Sequence, residues 1–183
     1  MTYAMGFSTV LVAGIPLALS AQVGGGHAAH HPARTDIPLS VQAEHKEIHG
    51  QLETAMKRTD AIGAAARELA QVLHPHFVRE EQIALKPLGA LQALARGAHV
   101  ADADVLRAMA DSLERELPRM LDEHKAIAAV VTKLQRAAVA AGAEEWVRFA
   151  QQLKQHALAE EEVYYPAAIL AGRQLRGMHS AKP

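Results

Sequence analysis

The chain has 183 residues, half of them hydrophobic, with no cysteine and a formal net charge of −1. That length suits one domain with a real core, and the near-neutral charge gives no electrostatic footprint for nucleic acid or for an acidic membrane surface. Without cysteine there is no disulfide framework, thiolate metal site or catalytic thiol.

Phe7 to Ala21 (FSTVLVAGIPLALSA) is apolar and uncharged. It is too short for a comfortable membrane span. With the small-x-small triplet Ala18-Leu19-Ser20 it reads as a signal peptide over residues 1–21, although Met1 to Gly6 lacks the usual Lys or Arg. Cleavage would make the protein periplasmic or secreted, with no membrane span in the mature chain; without cleavage it would be cytoplasmic. Residues 22–39 hold three Gly, three His and two Pro and read as a flexible linker, with His27, His30 and His31 either solvated, the favoured reading, or weak metal ligands.

From there the composition, rich in Ala with Leu, Glu, Gln and Arg common, favours helix over sheet. Four helices can be read in a domain over 40–172. The first opens near Ser40, a candidate N-cap, with the stripe Val41, His45, Ile48, Leu52, Ala55. The second runs from about Ala61 into the upper eighties, with Leu69, Val72, His76, Glu80, Ile83 on one face and a kink expected at Pro75. Pro87 ends or bends it, and Leu88 to Ala95 can continue as a short helix. Gly97 marks a loop, and Asp102 or Asp104 would cap the third helix, about Ala103 to Ala140. Its stripe is Met109, Leu113, Leu117, Met120, His124, Ile127, Val131, Leu134, with a kink expected at Pro118. Gly142 marks a turn into the fourth helix, Ala143 to Ala171, with Phe149, Leu153, His156, Glu160, Val163, Ala167, Leu170 on one face. Gly172 reads as its stop and residues 173–183 as a frayed tail.

One His interrupts each apolar stripe: His45, His76, His124 and His156. In the second and fourth helices a Glu follows at i+4 on the same face. Buried polar groups cost free energy unless they are paired, and a shared metal would remove that cost. The spacing supports it. In an up-down-up-down antiparallel bundle, ligands at one level lie equally far from the turn joining their helices. The midpoints between successive His fall at 60–61, 100 and 140, where Thr59–Gly63, Gly97–Asp104 and Gly142 already signal turns.

The chain also repeats. Glu44-His45-Lys46-Glu47-Ile48 matches Glu123-His124-Lys125-Ala126-Ile127, and His76-x-x-x-Glu80-Glu81 matches His156-x-x-x-Glu160-Glu161, at offsets of 79 and 80 residues. Two similar hairpins point to two ions bridged by two carboxylates. A lone His on an apolar face is usually a core residue; four at one level, two of them with i+4 Glu, favour metal. Glu81, Glu161 and Glu162 lie off the stripes and should face water. His49, one turn beyond His45, is either a further ligand or a group beside the site. Tyr164 and Tyr165 either hydrogen-bond groups around the site or pack at the bundle end. Imidazole and carboxylate without thiolate suit iron best, with zinc or manganese possible.

The segments EHKEI, HFVREEQIALKP, EHKAI and HALAEEEVYYP together resemble the hemerythrin-like, or HHE cation-binding, family. The resemblance implies an all-α four-helix bundle with a non-heme di-iron centre. It makes His45, His76, His124 and His156 the terminal ligands and Glu80 and Glu160 the bridges. Oxygen-carrying hemerythrins have His-x-x-x-His on the third helix, where this chain has Ala128. The expected function is binding or sensing of O2 or a related small oxidant. The alternatives are a di-iron enzyme acting on peroxide or nitric oxide, and iron or metal storage.

Overall fold

The structure, a computed structural model, describes residues 36–180, with side chains to residue 177. The signal peptide and the linker residues His27, His30 and His31 lie outside the described residues. Those described form helices α1 (Leu39–Met56), α2 (Ala61–Ile83), α3 (Leu91–Ala95), α4 (Ala103–Ala140), α5 (Glu144–Ala159) and α6 (Tyr165–Ser180), with no strand among them. A 3-10 turn, Lys86–Ala90, leads into the short α3. A π-helical turn, Glu160–Tyr164, joins α5 to α6 without a break. The long helices are therefore α1, α2, α4 and the α5–α6 rod, packed as an antiparallel four-helix bundle. Among the described residues, no helix is long and apolar enough to cross a membrane.

The turns fall at the midpoints of the His spacing. Asp60 starts α2 by accepting from the backbone N–H groups of Ile62 and Gly63, both at 3.1 Å. Asp102 stands at the N-cap position of α4. Gly142 ends α4 at φ +61°, where Ala143 N–H reaches back to the Ala138 carbonyl at 2.9 Å. A side chain would be strained in that conformation, which is why glycine closes the helix there. At the other end of the chain α1 begins at Leu39 with Pro38 as its cap, so Ser40 lies inside the helix and does not cap it. The α-helix persists through Pro75 and Pro118. Both prolines are exposed, so the carbonyls they leave without donors can be solvated.

The stripe expected on α1 is its buried face, residue for residue. On α2, Val72 and Ile83 are only half-buried, and Leu73 and Phe77 complete the inner face. The largest departure lies beyond Glu160. Val163 and Leu170 are exposed, and Tyr165, Ala168, Ala171 and Leu175 are buried in their place. The π turn explains this shift of about one residue. Tyr165 N–H donates to the Glu160 carbonyl, an i to i+5 bond that inserts an extra residue into the turn. Pro166 follows at once and has no N–H to continue the ordinary ladder. Gly172 does not stop the helix. It is buried inside α6, and a Cβ there would stand 2.3 Å from the Ala110 Cβ, so glycine permits α6 to close on α4.

Two apolar clusters flank the level of the four His. One contains Ile48, Leu69, Phe77, Val131, Leu134 and Phe149; the other contains Val41, Leu85, Leu113, Met120 and Tyr165. Burying each large aliphatic side chain contributes about 1.5–3 kcal/mol. The polar level therefore sits between two layers that hold the helices in register.

Candidate metal centre

Among the described residues, the buried charged or polar side chains are His45, His76, Glu80, His124, His156 and Glu160, none more than 5% exposed. They form two groups that share both carboxylates. His45 and His156 gather with Glu80 and Glu160 on one side, and His76 and His124 gather with the same two Glu on the other. In each group the candidate ligand atoms lie within 4.8 Å of one another.

The carboxylates divide their oxygens between the two halves. Glu160 Oε1 lies 2.7 Å from His156 Nε2 and 3.6 Å from His45 Nε2, while its Oε2 lies 3.2 Å from His124 Nε2. Glu80 Oε2 lies 3.9 Å from His45 Nε2, while its Oε1 lies 3.7 Å from His76 Nε2. His76 and His124 bring their Nε2 atoms to 2.9 Å. Each carboxylate is thus shared between the two groups, either of which could hold a cation.

A metal fits on a separate observation. His45 Nε2, His156 Nε2, Glu80 Oε2 and Glu160 Oε1 are buried and have no hydrogen-bond partner, close as they are. A buried polar atom left unpaired costs about 1–3 kcal/mol. Four such atoms aimed at one point are explained by a cation that accepts all of them. The second half has one more polar group. Tyr165 is fully buried and donates to Glu80 Oε1 at 2.5 Å, with its Oη also 3.2 Å from His124 Nε2.

Two of the four imidazoles are hydrogen-bonded from behind by a carboxylate of an adjacent helix, and a third has such a carboxylate close by. His76 Nδ1 donates to Glu123 at 3.0 Å, and His124 Nδ1 donates to Glu161 at 2.8 Å. His156 Nδ1 faces Glu44 at 3.2 Å. A proton held at Nδ1 leaves the Nε2 lone pair free to bind a metal. His45 is held differently, stacked on Phe77 with ring centroids 4.3 Å apart. The repeated Glu-His pairs now have a meaning. Glu44 and Glu123 each precede one histidine and serve another, across a helix interface. Glu161, expected to face water, is half-buried and bound to His124; Glu81 and Glu162 are exposed as expected.

The electrostatics of the metal-free site follow from the crowding. Burial pushes Glu80 up, and the neighbouring Glu160 charge pushes it further, well above the usual carboxylate range. Burial also pushes Glu160 up, but the imidazoles of His124, His156 and His45 outweigh it and hold Glu160 well below that range. Burial lowers His124 and His156; their carboxylate partners, Glu160 first, outweigh it and raise both. His76 is lowered, because there burial prevails over Glu123. Burial and the Glu80 charge push the Tyr165 phenol up.

The structure does not bring His49 into either group. It meets Phe77 edge-on at 5.1 Å and lies beside His74, with ring centroids 6.3 Å apart. Glu44 and Glu123 stand at equivalent places in the repeat, which is the signal in the sequence that could have found them; Glu161 has no such signal, since its repeat equivalent Glu81 is exposed. Tyr165 gave a weaker signal, an aromatic residue just before a proline and past the Glu160 motif.

Fold and site together define a helical bundle with a buried histidine–carboxylate cluster able to hold metal. The family model for the hemerythrin HHE cation binding domain matches residues 38–168. The chain belongs to this family. Searches of curated proteins and of solved structures gave no match.

Proposed function

We propose that this protein is a non-heme di-iron protein of the hemerythrin type that binds O2 or a related small oxidant. In this reading His45 and His156 hold one ion, His76 and His124 hold the other, and Glu80 and Glu160 bridge them. The observation that carries it is the division of each bridging carboxylate between two imidazole pairs. Imidazole and carboxylate donors without thiolate suit iron, and a pair of such ions supplies the electrons for reversible binding of an oxidant. The protein supplies the rest. The flanking apolar layers exclude water, Glu44, Glu123 and Glu161 orient the rings, and the shared carboxylates keep the ions adjacent.

The test is anaerobic reconstitution with ferrous iron followed by exposure to air. Two irons per chain and the near-ultraviolet and visible bands of a carboxylate-bridged di-ferric centre are expected. Iron well below two per chain, or zinc retained in preference and inert to air, would count against it. Sustained turnover of peroxide or nitric oxide would move the reading from binding to catalysis.

A further inference from the structure

The two halves of the site are matched in backbone and unlike in side chain. Glu80 and Glu160 occupy equivalent places in the repeat, and the residue five positions on makes the same backbone bond in each. Leu85 N–H donates to the Glu80 carbonyl at 3.0 Å, as Tyr165 N–H donates to that of Glu160. Both side chains are buried in one apolar cluster. The repeat therefore places a phenol in one half where the other half has an isobutyl group.

The phenol lies among the donor atoms. Ligand atoms bonded to one ion at about 2.1 Å and at right angles sit about 3 Å apart. His76 Nε2 to His124 Nε2 is 2.9 Å, His124 Nε2 to Glu160 Oε2 is 3.2 Å, and His124 Nε2 to Tyr165 Oη is 3.2 Å. Tyr165 Oη is thus spaced like a member of the same donor set. The unpartnered donor atoms His45 Nε2, His156 Nε2, Glu80 Oε2 and Glu160 Oε1 all face the His45–His156 half, which has no such fifth group.

Building on the two-ion reading above, we propose that Tyr165 is a fifth donor to the ion held by His76 and His124, bound through its phenolate oxygen. The O–H bond breaks as the oxygen–metal bond forms, and the proton leaves to solvent. The two ions are then chemically unlike, and the position open to a small exogenous ligand lies on the His45–His156 side.

The experiment is iron loading in air, metal analysis, and resonance Raman spectroscopy of the full chain. Two irons per chain with iron-enhanced phenolate ring modes are expected, absent from Tyr165→Phe and kept by Tyr164→Phe. If Tyr165→Phe does not fold, ring-deuterated tyrosine in the wild-type chain must shift the same modes. Two irons per chain without phenolate modes, or with modes that survive Tyr165→Phe, would overturn this proposal and leave the two-ion reading standing. Fewer than two irons in the wild-type chain would overturn both.

Discussion

The half of the site around His45 and His156 is built from the same repeat as the half around His76 and His124, yet the two are completed differently. In the first, five buried atoms lack a hydrogen-bond partner, His156 Nδ1 among them, and His45 is held by stacking on Phe77. In the second, both imidazoles carry a carboxylate behind them, and a phenol reaches into the centre. The lesson is that a duplicated hairpin fixes where the candidate ligands stand, while the residues one helix away fix the surroundings of each group.

The largest effect should come from the shared carboxylate that faces three imidazoles. Glu160→Ala removes a donor from both halves, and metal analysis after iron loading should show both ions lost. Retention of one ion would mean that the halves are more independent than their shared carboxylates imply.

Acid should come next, with a sign that follows from the protonation of the metal-free site. His124 and His156 are raised above the ordinary imidazole value and Glu80 above the usual carboxylate range, which favours protonated forms that metal must displace; His76, lowered by burial, favours the neutral ring with its one proton on Nδ1. Apparent affinity should therefore fall with falling pH, beginning above the ordinary imidazole value, by about tenfold per unit for each proton displaced. The stability that His124 and His156 give the metal-free fold has the opposite trend. It is fully present below the ordinary imidazole pKa and is lost as pH rises through their raised values. Proton release on metal addition in weak buffer checks the first point, and thermal melts of metal-free protein across that pH range check the second.

Removing an orienting carboxylate should weaken one half more than the other. Glu161→Ala acts on His124 and Glu44→Ala acts on His156, each costing about 10–100-fold in affinity. Titrations that resolve two binding steps should show a different step weakened in each variant. Equal loss of both steps would erase the distinction between the halves.

The smallest effect concerns the helix that carries Tyr165. Gly172→Ala would set a methyl group against Ala110 and force α6 from α4, at a cost of about 1–3 kcal/mol in denaturant unfolding. Its effect on metal should fall on the His76–His124 half.

Much of this comparison could be read before any coordinates. The four histidines, the two i+4 glutamates, the turns at the spacing midpoints and the inner face of α1 all follow from helical periodicity, which is local and regular. What could not be read depended on breaks in that regularity or on helix rotation. The fourth stripe failed after Glu160 because the π turn there adds a residue, so Val163 faces out and Tyr165 faces in. Glu161 lies off the apolar stripe of its own helix, which by periodicity points it to water; its partner His124 lies on another helix. Gly172 looked like a stop because glycine commonly ends helices, whereas here its missing side chain serves a close helix crossing.

The central claim is that two ions sit side by side, one in each half, bridged by Glu80 and Glu160. A crystal of the iron-loaded protein, measured at the iron absorption edge, tests it most directly. Two anomalous peaks about 3.5–4 Å apart are expected, one against His45 and His156 and the other against His76 and His124. A single peak, or peaks away from these four rings, would contradict it.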